Sequence, residues 1–179
     1  MTKEERAILD VISYAEGTLG ISQNGYDVLF TKRTIVGWTE NTDIVHGNSD
    51  WVITSGGHRS SAAGRYQFLG SKWISINGDK NLPMTKDNQD AAAIKNINNR
   101  LKSTVIDSRS VSISELTTRS KFDIFLQKCA PEWASLPLTK TITFKGDVKQ
   151  AGRGFYSSQN SKKTADELYE VFMMAYSLY

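Results

Sequence analysis

Apolar residues Ala7, Ile8, Val11, Ile12 and Ala15 recur at the three-and-four spacing of one helix face. Thr2, with Glu5 three residues on, supplies a capping-box pattern ahead of them, and Gly17 supplies the stop. The pattern predicts a helix over residues 3–16. The same periodicity predicts a short helix at Ser71–Ile76, with Trp73 and Ile76 inward. A longer helix is predicted at about 87–101, capped by Thr85, with Ala91, Ile94, Ile97 and Leu101 on one face. Another spans 114–130, with Phe122, Phe125, Leu126 and Cys129 as its stripe and Pro131 at its end. Pro137 closes a short piece at Glu132–Leu136. Thr164 with Glu167 opens a C-terminal helix whose apolar stripe is Leu168, Tyr169, Phe172, Met173 and Tyr176, a core face rather than a cofactor site.

Between Gly17 and about Gly57 the period changes. Tyr26–Phe30 and Ile35–Trp38 read as short strands, with Trp51–Thr54 as a third, separated by Gly, Asn, Asp and Ser. Leu138–Ser161 is rich in Gly and Lys, carries Phe155 and Tyr156, and is expected to form a mobile loop over the site. The pattern predicts one α+β domain over residues 1–179, mostly helical, with an irregular β region at about 20–60 as one wall of a cleft. No internal repeat or low-complexity tract interrupts it.

Composition narrows the function classes. A net charge of +3 without a dense Lys/Arg run argues against sequence-independent nucleic-acid binding, while a weak positive balance suits an anionic envelope or polysaccharide. The single cysteine, Cys129, forms no intrachain disulfide and lies in an apolar stretch, as a buried thiol does. His46 and His58 lack metal-ligand spacing, so neither metal nor cofactor is expected. No segment approaches the roughly 18 apolar residues of a membrane span. The polar start Met1–Arg6 does not read as a secretory signal, which predicts synthesis in a cytoplasm and delivery by something else if the substrate lies outside.

Glu16 is the candidate catalytic residue. A carboxylate in the last turn of a helix meets the negative end of the helix dipole, which disfavours its charged form, and burial would raise its pKa further. A carboxylic acid still protonated near neutral pH is what cleavage of a glycosidic bond needs from its general acid. Local sequence alone also permits an inconsequential surface Glu. A second carboxylate, Asp27, lies eleven residues on. It reads either as the partner of a two-carboxylate glycosidase or as the cap of a turn.

The ordered segments Ala15-Glu16-Gly17-Thr18, Asn24-Gly25-Tyr26-Asp27-Val28 and Ala63-Gly64-Arg65-Tyr66-Gln67-Phe68-Leu69, with Trp73 following, resemble the phage lambda endolysin family. Gln89-Asp90-Ala91, Cys129 with Trp133-Ala134-Ser135-Leu136-Pro137, and Lys163 with Ala165, Asp166 and Leu168 continue the likeness through almost the whole chain. The resemblance implies a lysozyme-like fold and lytic transglycosylase activity on peptidoglycan. In that chemistry the muramic acid's own 6-hydroxyl attacks its C1 and leaves a 1,6-anhydro ring, and the family's one glutamate matches Glu16. A tethered hydroxyl makes the second carboxylate dispensable.

Gly64–Gln67 resembles the Gly-x-x-Gln segment of lytic transglycosylases more widely. There Gly64 admits backbone close to the sugar, Gln67 bonds N-acetyl or hydroxyl groups, Tyr66 offers ring and hydroxyl, and Arg65 pairs with a substrate carboxylate. The structural alternatives are a helix start capped at Gly64, a core Tyr66 and an internal ion pair for Arg65. Tyr26, Trp133 and Tyr156 are candidate sugar-stacking rings, with Trp133 reading more readily as core. The stretches 31–60 and 138–155 are longer than the family pattern. Two other functions stay open: a hydrolytic muramidase with Asp27 assisting water, and a non-catalytic virion module that binds glycan. The implied partners are peptidoglycan strands, with a holin for release into the periplasm or virion proteins for delivery; no nucleic acid or membrane is expected, and the chain is expected to be a monomer.

Overall fold

The computed structural model describes residues 1–46, 52–55, 57–156 and 161–179 and, at Thr54 and His58, the backbone alone. The elements are α1 (Lys3–Glu16), β1 (Ile53–Ser55), β2 (His58–Ser60), α2 (Gly70–Asn77), α3 (Lys86–Lys102), α4 (Arg119–Cys129), β3 (Ile142–Phe144), β4 (Asp147–Lys149) and α5 (Ala165–Leu178). The result is a helix-dominated α+β fold. The chain divides into two compact units, residues 1–15 with 97–179, and residues 16–96.

The first unit is built on apolar helix faces. In α1 the Thr2 amide donates to Glu5 Oε2 at 2.8 Å and the Glu5 amide to Thr2 Oγ1 at 3.2 Å, a reciprocal cap that fixes where the helix begins. Ala7, Ile8, Val11 and Ile12 are buried, as their spacing predicts. Phe122 of α4 meets Phe172 and Tyr169 of α5 at ring separations of 5.4 and 5.2 Å. Burying each such side chain contributes about 1.5–3 kcal/mol. Thr164 caps α5 by accepting from the Glu167 amide. The Glu167 carboxylate, instead of closing the box, accepts from Tyr14 Oη at 2.5 Å and Lys163 Nζ at 2.9 Å, which ties α1 to α5. Cys129 is buried, and loss of water pushes its thiol pKa up, so it is an inert core group.

Three sequence expectations are corrected. The predicted helix 114–130 is two pieces, a 3-10 turn at Ile113–Glu115 and then α4. Thr118 is extended, and the Ser112 capping box closes the turn before α4 starts. Residues 138–156 are not simply a loop, since β3 and β4 pair antiparallel with Ile142 opposite Lys149. Tyr26–Phe30 and Ile35–Trp38 are not strands. Val28 and Thr34 form one isolated bridge, Leu29 another to Ala63, and a 3-10 turn takes Phe30–Lys32. Left-handed residues at Gly25 before the first predicted strand, at Thr31 and Lys32 between the two, and at Gly37 within the second turn the backbone out of an extended ladder. Of the third predicted strand, Ile53–Ser55 pairs with His58–Ser60 as β1 and β2; Trp51 lies outside the described residues.

Candidate active site

Three segments of the second unit converge: the end of α1 with the turns that follow it (16–28), the loop 63–68, and the start of α3 from Met84 to Asp90. The loop 63–68 is closed by paired hydrogen bonds between Ala63 and Phe68, with amide-to-carbonyl distances of 3.0 and 2.9 Å. Within it Gly64 has φ +77° and Gln67 φ +49°. A left-handed conformation costs a residue with a side chain roughly 1–2 kcal/mol. Gln67 offsets this with its own amide, whose Nε2 donates to Gly64 O at 2.9 Å and Val28 O at 3.1 Å. α2 begins only at Gly70, so Gly64 is not a helix cap.

Gln89 of α3 is buried and clamps two of the segments. Its Oε1 accepts from the Arg65 amide at 2.9 Å, while Nε2 donates to Tyr26 O at 3.0 Å and Met84 O at 2.8 Å. Arg65 O in turn accepts from Thr18 Oγ1 at 2.5 Å. Beside Gln89, Asp90 Oδ1 accepts from Tyr66 Oη at 2.5 Å and Tyr26 Oη at 2.8 Å. Burial raises the pKa of Asp90, against the opposing pull of the two hydroxyls, Arg65 and Lys86. Burial first, and then the Asp90 charge, raises both tyrosine pKa values, so the phenols remain donors.

These bonds reassign most of the predicted sugar contacts. Tyr66 is 0% exposed and its ring has no face left for a sugar. Tyr26 is buried and lies flat against Trp38, with ring centroids 5.9 Å apart and planes 6° from parallel. Arg65 is 2% exposed, donates from Nη1 to Asn24 O at 2.7 Å and lies over the Tyr26 ring at 5.2 Å. It is therefore not an exposed anion anchor. Asp27 is 5% exposed, and its carboxylate accepts from Ser22 Oγ at 2.6 Å and the Gln23 amide at 3.3 Å. It caps the turn 22–27, the second of its two sequence readings.

Of the predicted site residues in this unit, Glu16 and Gln67 alone keep partial exposure. Each is two residues from one end of the Thr18–Arg65 hydrogen bond. The remaining two candidates lie in the first unit. Trp133 is 3% exposed and belongs to its core, whereas Tyr156 is 47% exposed and donates from Oη to Pro131 O at 2.9 Å.

Sequence reasoning gave no role to Thr18, Gln89 or Asp90. A signal existed for Gln89, which shares a helix face with the buried Ala93 and Ile97 and is a polar residue on an apolar stripe. Among the described residues, no group of three or more His, Cys, Asp or Glu could hold a metal ion, and no helix is long and apolar enough to cross a membrane.

The family model described as Endolysin matches residues 6–158. Among solved structures, the chain is similar to two of the lysozyme of bacteriophage lambda. As a complex with a chitohexasaccharide it has a TM-score of 0.63 at 23% identity, covering 98% of this chain and 95% of that one. Described without the saccharide it has a TM-score of 0.62 at 22% identity with the same coverage. No curated protein sequence matches.

Proposed function

The chain belongs to the endolysin family, and on that premise we propose that it is a lytic transglycosylase of peptidoglycan, cleaving the β-1,4 bond between N-acetylmuramic acid and N-acetylglucosamine. The observation that carries this reading is the pairing of a partly exposed Glu16 with a partly exposed Gln67, joined through the Thr18–Arg65 bond. The similar lambda lysozyme with a chitohexasaccharide bound supports an N-acetylated glycan as the class of ligand.

Glu16 is the acid and then the base. Its protonated carboxyl gives a proton to the glycosidic oxygen as the C1–O bond breaks. The carboxylate then takes the proton of the muramyl 6-hydroxyl as that oxygen bonds to C1, which closes the 1,6-anhydro ring and restores the acid. Tethering of the 6-hydroxyl makes this step intramolecular, worth up to about 7–11 kcal/mol in favourable geometries. Gln67 holds the substrate: its Nε2 is used internally, which turns Oε1 into an acceptor for an N-acetyl N–H.

Asp27 favours the transglycosylase over the hydrolase. A water-activating base has to reach a water on the sugar, and Asp27 is buried with its carboxylate engaged by Ser22 and Gln23. The test is Glu16→Gln. The variant is expected to fold with an unchanged circular dichroism spectrum and to lose clearing of purified wall; retained clearing would remove Glu16 from the reaction.

A further inference from the structure

We propose that Thr18 and Gln89 are positioning residues for Glu16, forming a relay that fixes the end of α1 from the frame of α3. The inference rests on Glu16 being the catalytic acid. It starts from a local weakness. Gly17, immediately after Glu16, has φ +71°, and a Cβ built on it would meet nothing within 4 Å. The chain therefore leaves α1 through its most permissive residue, which has no side chain to help set its direction.

What fixes it comes one residue later. Thr18 is buried, and its hydroxyl donates to Arg65 O at 2.5 Å. Gly25 packs flush on the same residue, since a Cβ there would lie 2.7 Å from Thr18 O. Arg65 is not mobile, because its amide donates to Gln89 Oε1 at 2.9 Å. Gln89 cannot swing, because Nε2 of the same amide holds Tyr26 O and Met84 O. One side chain of a seventeen-residue helix thus orders both segments that flank the proposed acid. Gln67, two residues past Arg65, is ordered by the same loop. Catalysis is sensitive to such placement, and an error of about 1 Å can cost on the order of 100-fold in rate.

The relay predicts a separation of kcat from KM. Thr18→Val keeps the shape of the side chain and removes the hydroxyl. It is expected to lower kcat on soluble glycan strands by about 10- to 100-fold, with KM within about twofold. Thr18→Ser keeps the hydroxyl and is expected to restore kcat to within a few-fold of the unmutated enzyme. A purely structural role would instead lower the melting temperature of Thr18→Val while leaving kcat per folded molecule unchanged. Thr18→Ala replaces Thr18→Val if valine does not fold. Unchanged kcat in the folded hydroxyl-less variant, or failure of serine to rescue, overturns the relay. Glu16→Gln is assayed alongside. If it is inactive while Thr18→Val is fully active, the relay alone falls; if it is fully active, the proposed acid falls and the relay with it.

Discussion

Replacing Gly64 by alanine sets the smallest possible side chain against the centre of the clamp. The added Cβ would lie 2.2 Å from Gln89 Oε1, 2.9 Å from its Cδ and 3.0 Å from Met84 Cε. Oε1 would have to withdraw by about an ångström to reach ordinary contact, and the amide has no room to turn because Nε2 holds two carbonyls. Withdrawal breaks the bond from the Arg65 amide and leaves a buried N–H unsatisfied, which costs about 1–3 kcal/mol. The φ of +77° adds roughly 1–2 kcal/mol for any residue with a Cβ. The expected loss is about 2–5 kcal/mol, a large part of the 5–15 kcal/mol typical of a whole domain. In urea unfolding with a slope of about 2 kcal/mol per molar, the midpoint should fall by about 1–2.5 M. Gln89→Ala should cost less in the Gly64→Ala background than on its own, because the Arg65 bond is already broken and the atom that clashes is gone; the two substitutions are then non-additive. A midpoint shift below about 0.5 M for Gly64→Ala would refute the packing argument.

Asp90→Asn keeps an oxygen to accept from Tyr26 and Tyr66 and removes a buried charge. Burial raises the folded-state pKa of Asp90, so its contribution is fully present below the ordinary carboxylate pKa and is lost as pH rises through the folded value. The melting temperature of Asp90→Asn relative to the unmutated protein should therefore climb between about pH 4 and pH 7; a difference that falls over that range would contradict the assignment. Tyr156 is the one candidate stacking ring with a large exposed face, and Tyr156→Ala is expected to raise KM on glycan strands about 3- to 10-fold, as loss of a 1 kcal/mol contact would, with little change in melting temperature. An unchanged KM would take the ring out of substrate binding.

The helices were legible because one-sided burial writes itself into periodicity. Residues 3–16 and the helix opened by Thr164 follow directly from the apolar spacing and the caps. The turn region was not, because Tyr26, Val28, Ile35 and Trp38 are apolar for burial and not for pairing. The positive-φ turns at Ser22, Asn24 and Gly25, and again at Thr31, Lys32 and Gly37, fold the backbone back on itself. The hairpin β3–β4 had a readable signal in Ile142-Thr143-Phe144-Lys145-Gly146-Asp147-Val148, alternation around a turn whose Lys145 and Gly146 both take positive φ.

For the candidate site, sequence order brought forward segments that meet in the fold but misjudged which side chains face outward. Tyr26, Arg65 and Tyr66 look like ligand-binding groups in a list of residue types. Their polar atoms are instead used on Asp90 and Asn24 inside the fold. Gln89 shows in the sequence only as a polar residue on an apolar stripe, and its task of holding main-chain atoms of residues 63 and 24 positions away is not written there.

The central claim is that one carboxylate, Glu16, cleaves the glycan without water. The most direct test is mass analysis of the ends released from purified peptidoglycan by the unmutated protein, Asp27→Asn and Glu16→Gln. The account predicts 1,6-anhydro-muramyl ends from the first two and no product from Glu16→Gln. Ends heavier by one water, lost on Asp27→Asn substitution, would contradict it.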